Sequence, residues 1–229
     1  MNIKNFCAYY GWVFLLVLIG CGKKQEHQKL ARNYYELSMM ELQEPVLSRQ
    51  MYVRALHHLD EAIAAHNLPL YRATRGTVLF GLGDYKGAGD CFEELLATTR
   101  DGALTAEIKN NYACMLAQRG DAQRAAALWQ ELAGDPTYLT PEVALLNYSC
   151  ALIAQKRYDA ARTQLFEAIA KDPNYLDAHY QLARLAWDHL GDHSLARKEL
   201  TTALFLDPNH REAQAMMHAI SSTGSLAVA

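Results

Sequence analysis

The sequence predicts an all-α chain of stacked helix–turn–helix units, and three observations carry that prediction. Compared with itself, the chain repeats with a period of about 35 residues. Each copy holds two stripes of apolar residues at helical spacing, such as Leu145, Tyr148 and Leu152 followed by Tyr158, Ala161, Leu165 and Ala168. A Gly-Asp pair at 83–84, 120–121 and 191–192 breaks the helical pattern where a turn must fall.

The copies follow one another along the chain. Residues 30–68 form a degenerate first copy, whose second half is marked by Ala55, Leu59, Ala62 and Ile63. The copy at 69–105 carries Arg75-Gly76, Gly83-Asp84-Tyr85, Ala88, Phe92 and Leu95. The copy at 106–141 carries Asn111-Tyr112-Ala113, Gly120-Asp121, Ala125, Trp129, Leu132 and Asp135-Pro136. The copy at 142–176 ends in Asp172-Pro173-Asn174 and has Lys156-Arg157 in place of Gly-Asp, so its turn is less well specified. The copy at 177–210 carries Tyr180, Ala183, Trp187, Gly191-Asp192, Ala196, Leu200, Ala203 and Asp207-Pro208-Asn209. Alanines 88, 125, 161 and 196 fall where helices pack closely and a larger side chain would clash. The proline after a second helix stops it, having no N–H and restricting the residue before it. Residues 211–220, with polar Arg211, Glu212 and Gln214, read as a capping helix, and 221–229 as a disordered tail. One helix pair cannot bury both of its stripes, so the copies must stack on a shared core.

This pattern resembles the tetratricopeptide repeat over roughly residues 30–210. The resemblance implies a right-handed α-solenoid of four to five repeats whose first helices line a concave, protein-binding groove. Carried onto this chain, that groove contains Phe80, Asn110, Asn111, Gln118, Leu146, Asn147, Ile153, Gln181 and Leu185. Ala73, Thr77, Cys114, Val143, Cys150 and His189 belong to the same faces. Asn111 and Asn147 hold equivalent positions, and in the family such amides grip a peptide backbone. The family's clamp for a C-terminal carboxylate needs Lys and Asn where Ala73 and Thr77 stand, so that mode is not expected.

The start of the chain has its own pattern. Lys4 precedes an apolar run, Phe6 to Ile19, that closes on Leu18-Ile19-Gly20-Cys21. A positive start, an apolar middle and a small residue before the cut are the marks of a secretory signal. The run is about 15 residues long, short of the ~20 that cross a bilayer. The cysteine after Gly20 makes residues 1–20 resemble a bacterial lipoprotein signal peptide. That resemblance implies a diacylglycerol and an N-acyl chain on Cys21, with 21–29 as a short polar tether. Gly22, where the family's retention signal would have Asp, implies delivery to the outer membrane, facing the periplasm. Lys23 and Lys24 suit anionic headgroups.

Composition narrows the function classes. The formal charge is −3, and loss of Lys4 makes it one more negative. Nucleic-acid binding needs a basic face, so no such partner is expected. Cys91, Cys114 and Cys150 are an odd set without a CxxC, unlike a disulfide framework. The chain lacks GxxxxGK[ST], HExxH and GxSxG, so no enzyme activity is expected. Asp188-His189 and Asp192-His193 are separated by Gly191 at a turn and read as solvated residues, not a metal site. No cofactor beyond the acyl groups and no small-molecule substrate is expected, since open solenoids rarely enclose a pocket.

The resulting expectation is a lipid-anchored envelope scaffold that binds a protein or peptide partner and aids assembly or localisation of an envelope complex. Asn110-Asn111-Tyr112 with Leu116 resembles the pilotins among such lipoproteins, although Asn-Tyr is near consensus for the repeat. The other class consistent with these residues is an adaptor that brings a protease or a peptidoglycan hydrolase to its target.

Overall fold

The computed structural model describes residues 24–43 and 46–226, and all regular structure among them is helical. Cys21 and the signal-like run lie outside these residues. The chain divides into two compact units, Met1–Thr99 and Arg100–Ala229. No helix among the described residues is long and apolar enough to cross a membrane.

The first unit holds α1 (residues 24–41), α2 (Arg49–Ala65), α3 (Pro69–Leu82) and α4 (Tyr85–Thr98). Among the described residues, helix α1 already covers 24–29, part of the segment expected as a tether. Lys24-Gln25-Glu26 and Gln28-Lys29 are good helix formers uninterrupted by Gly or Pro, so the helix extends through them. Ala31 of α1 is buried with Ala62 and Tyr71, and the Tyr35 ring stacks on Tyr71 at 4.7 Å. Ala55, Leu59 and Val78 continue this core toward Leu42 and Tyr52. Arg54 clasps Glu41 through two hydrogen bonds of 2.8 and 2.7 Å, tying α2 to α1. Gly76 is a close-approach glycine: a Cβ there would sit 2.7 Å from the Phe92 ring of α4.

The second unit holds α5 (Gly102–Gln118), α6 (Ala122–Ala133), α7 (Pro141–Ala154), α8 (Tyr158–Lys171), α9 (Leu176–Leu185), α10 (His193–Leu206) and α11 (Arg211–Leu226). Each of the pairs α5–α6, α7–α8 and α9–α10 packs as an antiparallel hairpin, and each second helix also meets the next first helix. Leu145 and Leu152 of α7, Ala161, Leu165 and Ala168 of α8, and Ala178, Leu182 and Leu185 of α9 form one buried cluster. Ala183, Leu200, Ala213 and Ile220 carry the core on into α11. That helix runs past Ile220 to Leu226, through residues expected as a tail. In that stretch Ser221 Oγ donates back to the Met217 carbonyl at 2.9 Å.

The turns explain the repeat at the level of single atoms. A left-handed residue ends the first helix: Gly83 at φ 84°, Gly120 at 90°, Lys156 at 60° and Gly191 at 65°. The next residue's N–H reaches back to a helical carbonyl, Asp84 to Leu79 at 2.9 Å, Asp121 to Leu116 at 2.9 Å and Arg157 to Leu152 at 2.9 Å. The aspartate then caps the second helix, accepting from Gly87 N at 2.9 Å, Arg124 N at 3.3 Å and Leu195 N at 2.9 Å. The loops between copies are Asx turns: Asp135, Asp172 and Asp207 accept from the N–H two residues on, at 2.8, 2.9 and 2.9 Å.

The last complete copy departs from this plan. Asp192 N bonds to Ala186 O at 3.0 Å, one residue further back than in the others, and Ala186–Leu190 is a π-turn. The buried small residue of the first helix stands seven before the left-handed residue at Gly76, Ala113 and Ser149, but eight before it at Ala183. The π-turn absorbs this inserted residue and keeps both helices in register with the core.

Lys156-Arg157 departs twice. A side chain at positive φ costs about 1–2 kcal/mol, and α8 has no side-chain cap at Arg157. Replacing the pair by Lys156→Gly and Arg157→Asp is expected to raise unfolding stability by about 2 kcal/mol in urea titration.

Candidate protein-binding face

In the second unit the first helices α5, α7 and α9 touch one another, and they do so more closely than α6, α8 and α10. A stack whose first helices are the closer set curves toward them. The face they present is therefore the concave one.

Polar contacts organise its centre. Asn110 is buried, and its Oδ1 accepts from Trp129 Nε1 of α6 at 3.0 Å. The same oxygen accepts from Asn147 Nδ2 of α7 at 3.2 Å, and Cys114 Sγ lies 3.7 Å from that amide nitrogen. Indole N–H only donates. It fixes the Asn110 amide with its oxygen toward Trp129, and this in turn fixes Asn147 with its NH2 toward Asn110. Asn147 Oδ1 therefore points away from the relay.

Burial shifts several titratable groups of the second unit. Burial pushes the Cys114 thiol up to about 11, and it also raises Cys150, which keeps solvent access. Solvent access beside enclosing protein is what a concave wall provides. Burial raises the Glu107 carboxyl. Tyr138 is buried in the loop before α7; burial, then the charges of Glu107 and Glu142, hold its hydroxyl proton on against the Thr140 hydrogen bond. Burial, with Asp177 and Glu142 adding to it, pushes Tyr175 up to about 12. Arg184 acts on Cys150 from α9 and lies over the Tyr180 ring at 5.9 Å.

The sequence-derived residues divide on this map. Gln118 is exposed, and Asn111, Leu146, Asn147, Ile153 and Gln181 are half-buried on α5, α7 and α9. Leu146 and Ile153 also lean on the core. Asn110 is taken up by the relay and does not present its amide oxygen to solvent. Leu185 is 1% exposed and belongs to the core cluster. The expectation stepped four residues from Gln181, whereas the face steps three, to Arg184. Phe80 is in the first unit, half-buried, its ring tilted against Tyr85 at 6.0 Å. His189 stacks on Tyr158 at 4.3 Å and His193 tilts against Trp187 at 4.5 Å, so the two imidazoles serve different aromatic contacts. Glu107, Tyr138, Glu142, Tyr175 and Arg184 were not among the expected residues. Arg184 was available from spacing, 34 residues after Cys150, as Gln181 is after Asn147.

Comparisons with known proteins agree with this build. Residues 73–138 and 152–220 each match a tetratricopeptide repeat family. No curated protein matches the chain by sequence. Among solved structures it is similar to PilW, a widely conserved type IV pilus biogenesis factor, with TM-score 0.64 and 24% identity over 77% of each chain. It is similar to MamA from Desulfovibrio magneticus RS-1, with TM-score 0.59 and 19% identity over 79% of this chain and 96% of that one. It is also similar to YrrB, a TPR protein with an unusual peptide-binding site, with TM-score 0.55 and 20% identity over 81% of this chain and 90% of that one. At these identities the likeness is one of fold.

The relay can be tested by stability. Asn110→Leu leaves the Trp129 indole without an acceptor and is expected to cost about 1–3 kcal/mol in urea unfolding. In a Trp129→Phe background the same substitution should cost about 1 kcal/mol less, a coupling that a double-mutant cycle measures.

Proposed function

The chain is a tetratricopeptide-repeat protein, and from that premise we propose that it is a non-enzymatic scaffold anchored in the bacterial envelope through a lipid on Cys21. It holds an extended protein segment on the concave face of its second unit and thereby aids assembly or localisation of an envelope complex. The observation that carries this reading is the face itself: half-buried apolar and amide side chains on three adjacent helices, with Asn147 held in one orientation by Asn110 and Trp129.

The mechanism is binding combined with confinement. A partner segment laid along α5, α7 and α9 would cover Leu146 and Ile153 and satisfy the free amide oxygen of Asn147. Attachment at Cys21 would keep the scaffold at the bilayer, where a second interaction of its partner becomes effectively intramolecular. Support for the anchor comes from Leu18-Ile19-Gly20-Cys21 and the apolar run before it. Similarity in fold to PilW favours an assembly role among the envelope functions.

Two experiments test the reading. Cys21→Ala is expected to release the protein from the membrane fraction and to abolish acyl labelling; unchanged fractionation and gel mobility would remove the anchor from the account. In cells, photo-crosslinkers at Gln118, Leu146 and Gln181 are expected to capture one envelope protein. An assembly factor's client identifies the role proposed here, whereas a protease or wall hydrolase identifies an adaptor. Capture only from the opposite, second-helix surface would dismiss the groove.

A further inference from the structure

Helix α1 presents an apolar stripe to solvent. Ala31 and Ser38 mark its inward side and are fully buried. Leu30, Leu37 and Met40 recur at intervals of seven and three, so they share a different side of the helix. They are 47%, 43% and 64% exposed. Glu26 and Asn33 are the polar members of the same stripe. Val46 and Val53 follow in the adjoining loop and in α2, and they too are exposed. Five of the nine exposed large hydrophobic residues among those described thus fall between positions 30 and 53, and the other four are scattered over the rest of the chain. Apolar side chains gathered in this way mark a surface with a partner.

Charge and position identify that partner. Residues 22–32 hold Lys23, Lys24, Lys29 and Arg32 against the single carboxylate Glu26. No eleven-residue stretch elsewhere after Cys21 is as cationic, in a chain whose formal charge is −3. Lys24, Lys29 and Arg32 are exposed. Cys21 precedes Lys24 by three residues, which reach at most ~10 Å however they run. An acyl chain on Cys21 would therefore hold Lys24 close to the headgroups. Anionic headgroups attract Lys and Arg, and the acyl boundary beneath them takes Leu and Met. A second copy would bring the same cations against these, so the charge that suits a bilayer opposes a dimer through this stripe. We infer that α1 lies along the surface of an anionic phospholipid bilayer, with Leu30, Leu37 and Met40 at the boundary between headgroups and acyl chains. Lys29 and Arg32 reach the phosphates from one flank of the stripe. Anchor and helix then make two attachments, which together orient the first unit on the membrane. This inference rests on the anchor proposed for Cys21 and adds the surface that meets the bilayer.

The test uses the full acylated chain on vesicles of phosphatidylethanolamine and phosphatidylglycerol. An environment-sensitive fluorescent amino acid is placed at Asn33 or, as a reference, at Ala97 of α4, which is also exposed. Lipids brominated in their acyl chains are expected to quench the probe at Asn33 and to leave that at Ala97 unaffected. Replacing phosphatidylglycerol by phosphatidylcholine, or raising salt, should weaken the quenching. Leu30→Gln with Leu37→Gln and Met40→Gln should abolish it while the protein still floats with the vesicles on its acyl chains. All three side chains are exposed, so circular dichroism and urea unfolding should stay nearly unchanged. Flotation with Asn33 as unquenched as Ala97 would overturn this inference and leave the anchor standing. A blue shift at Asn33 without lipid, together with a dimer in sedimentation, would overturn it in favour of a second copy. A chain that mass spectrometry finds unacylated, yet that floats with Asn33 quenched, would remove the anchor and keep α1 as the membrane-binding surface. No flotation would overturn both.

Discussion

The structure depends on the distance between two residues in each first helix: a small buried side chain and the left-handed residue that ends the helix. The small side chain lets the second helix approach, and at Gly76 even a methyl would meet Phe92. The left-handed residue turns the chain so that the following helix returns over it. With both points set, the rotation of the first helix about its axis is determined, and so is the set of side chains that face inward. Ala183 and Gly191 are one residue further apart than their counterparts. If a regular α-helix filled that interval, either the buried stripe or the turn would be rotated by about 100°. The π-turn at Ala186–Leu190 confines the mismatch to the end of α9, beyond Arg184, and the binding face keeps its register.

Two polar devices reinforce this register where packing alone is smaller. In the α5–α6 pair, Trp129 and Asn110 bond across the helix interface. In the α9–α10 pair, His179 and Glu199 do so, with Nδ1 and Oε2 2.6 Å apart and both side chains buried. His179 Nε2 lies 3.0 Å from the Pro173 carbonyl, which can only accept, so that nitrogen carries a proton. The other Glu199 oxygen meets Lys198 Nζ at 3.0 Å. The contact joins α9, α10 and the loop before α9 at one imidazole. Gln214 repeats part of it in α11, donating to the Pro208 carbonyl at 2.6 Å. The terminal helix thus docks by the same contact that begins a full copy.

Features that recur in the sequence were readable because their causes are local. Gly-Asp states a left-handed turn and a cap, and Asp-Pro states an Asx turn with a helix stop. The fold class follows from these together with the period of about 35 residues and the two apolar stripes of each copy. Features belonging to a single copy were harder to read. The inserted residue near Gly191 was visible as an interval of eight against seven, but only an alignment anchored on the buried small residue exposes it. Counting by fours from Gln181 led to Leu185 rather than Arg184. Asn110 is expected in the groove because it lies on a first helix, the kind that lines the groove in the family. Its actual role depends on Trp129, 19 residues away across a helix pair, and no periodicity reports that. Tyr138 and Tyr175 lie in loops, where helical spacing carries no information.

Ion pairs in both units join neighbouring helices or successive turns of one helix. In the first unit, Arg72 and Arg75 line a surface recess with Asp60, Asp90 and Glu94, but Arg75 pairs with Asp60 at 2.7 Å and Arg72 with Glu94. Such exposed pairs contribute at most about 1 kcal/mol each, yet they neutralise the recess, and an incoming ion would have to displace a partner already in place. In the second unit, Lys109–Glu131 and Arg162–Asp159 pair within their own hairpins. The same chain forms ion pairs readily wherever a second helix is in reach. Among the described residues, carboxylates without an ion pair stand on first and second helices alike, Glu107 on α5, Glu61 on α2 and Glu167 on α8, all exposed to solvent, where an unpartnered charge costs little.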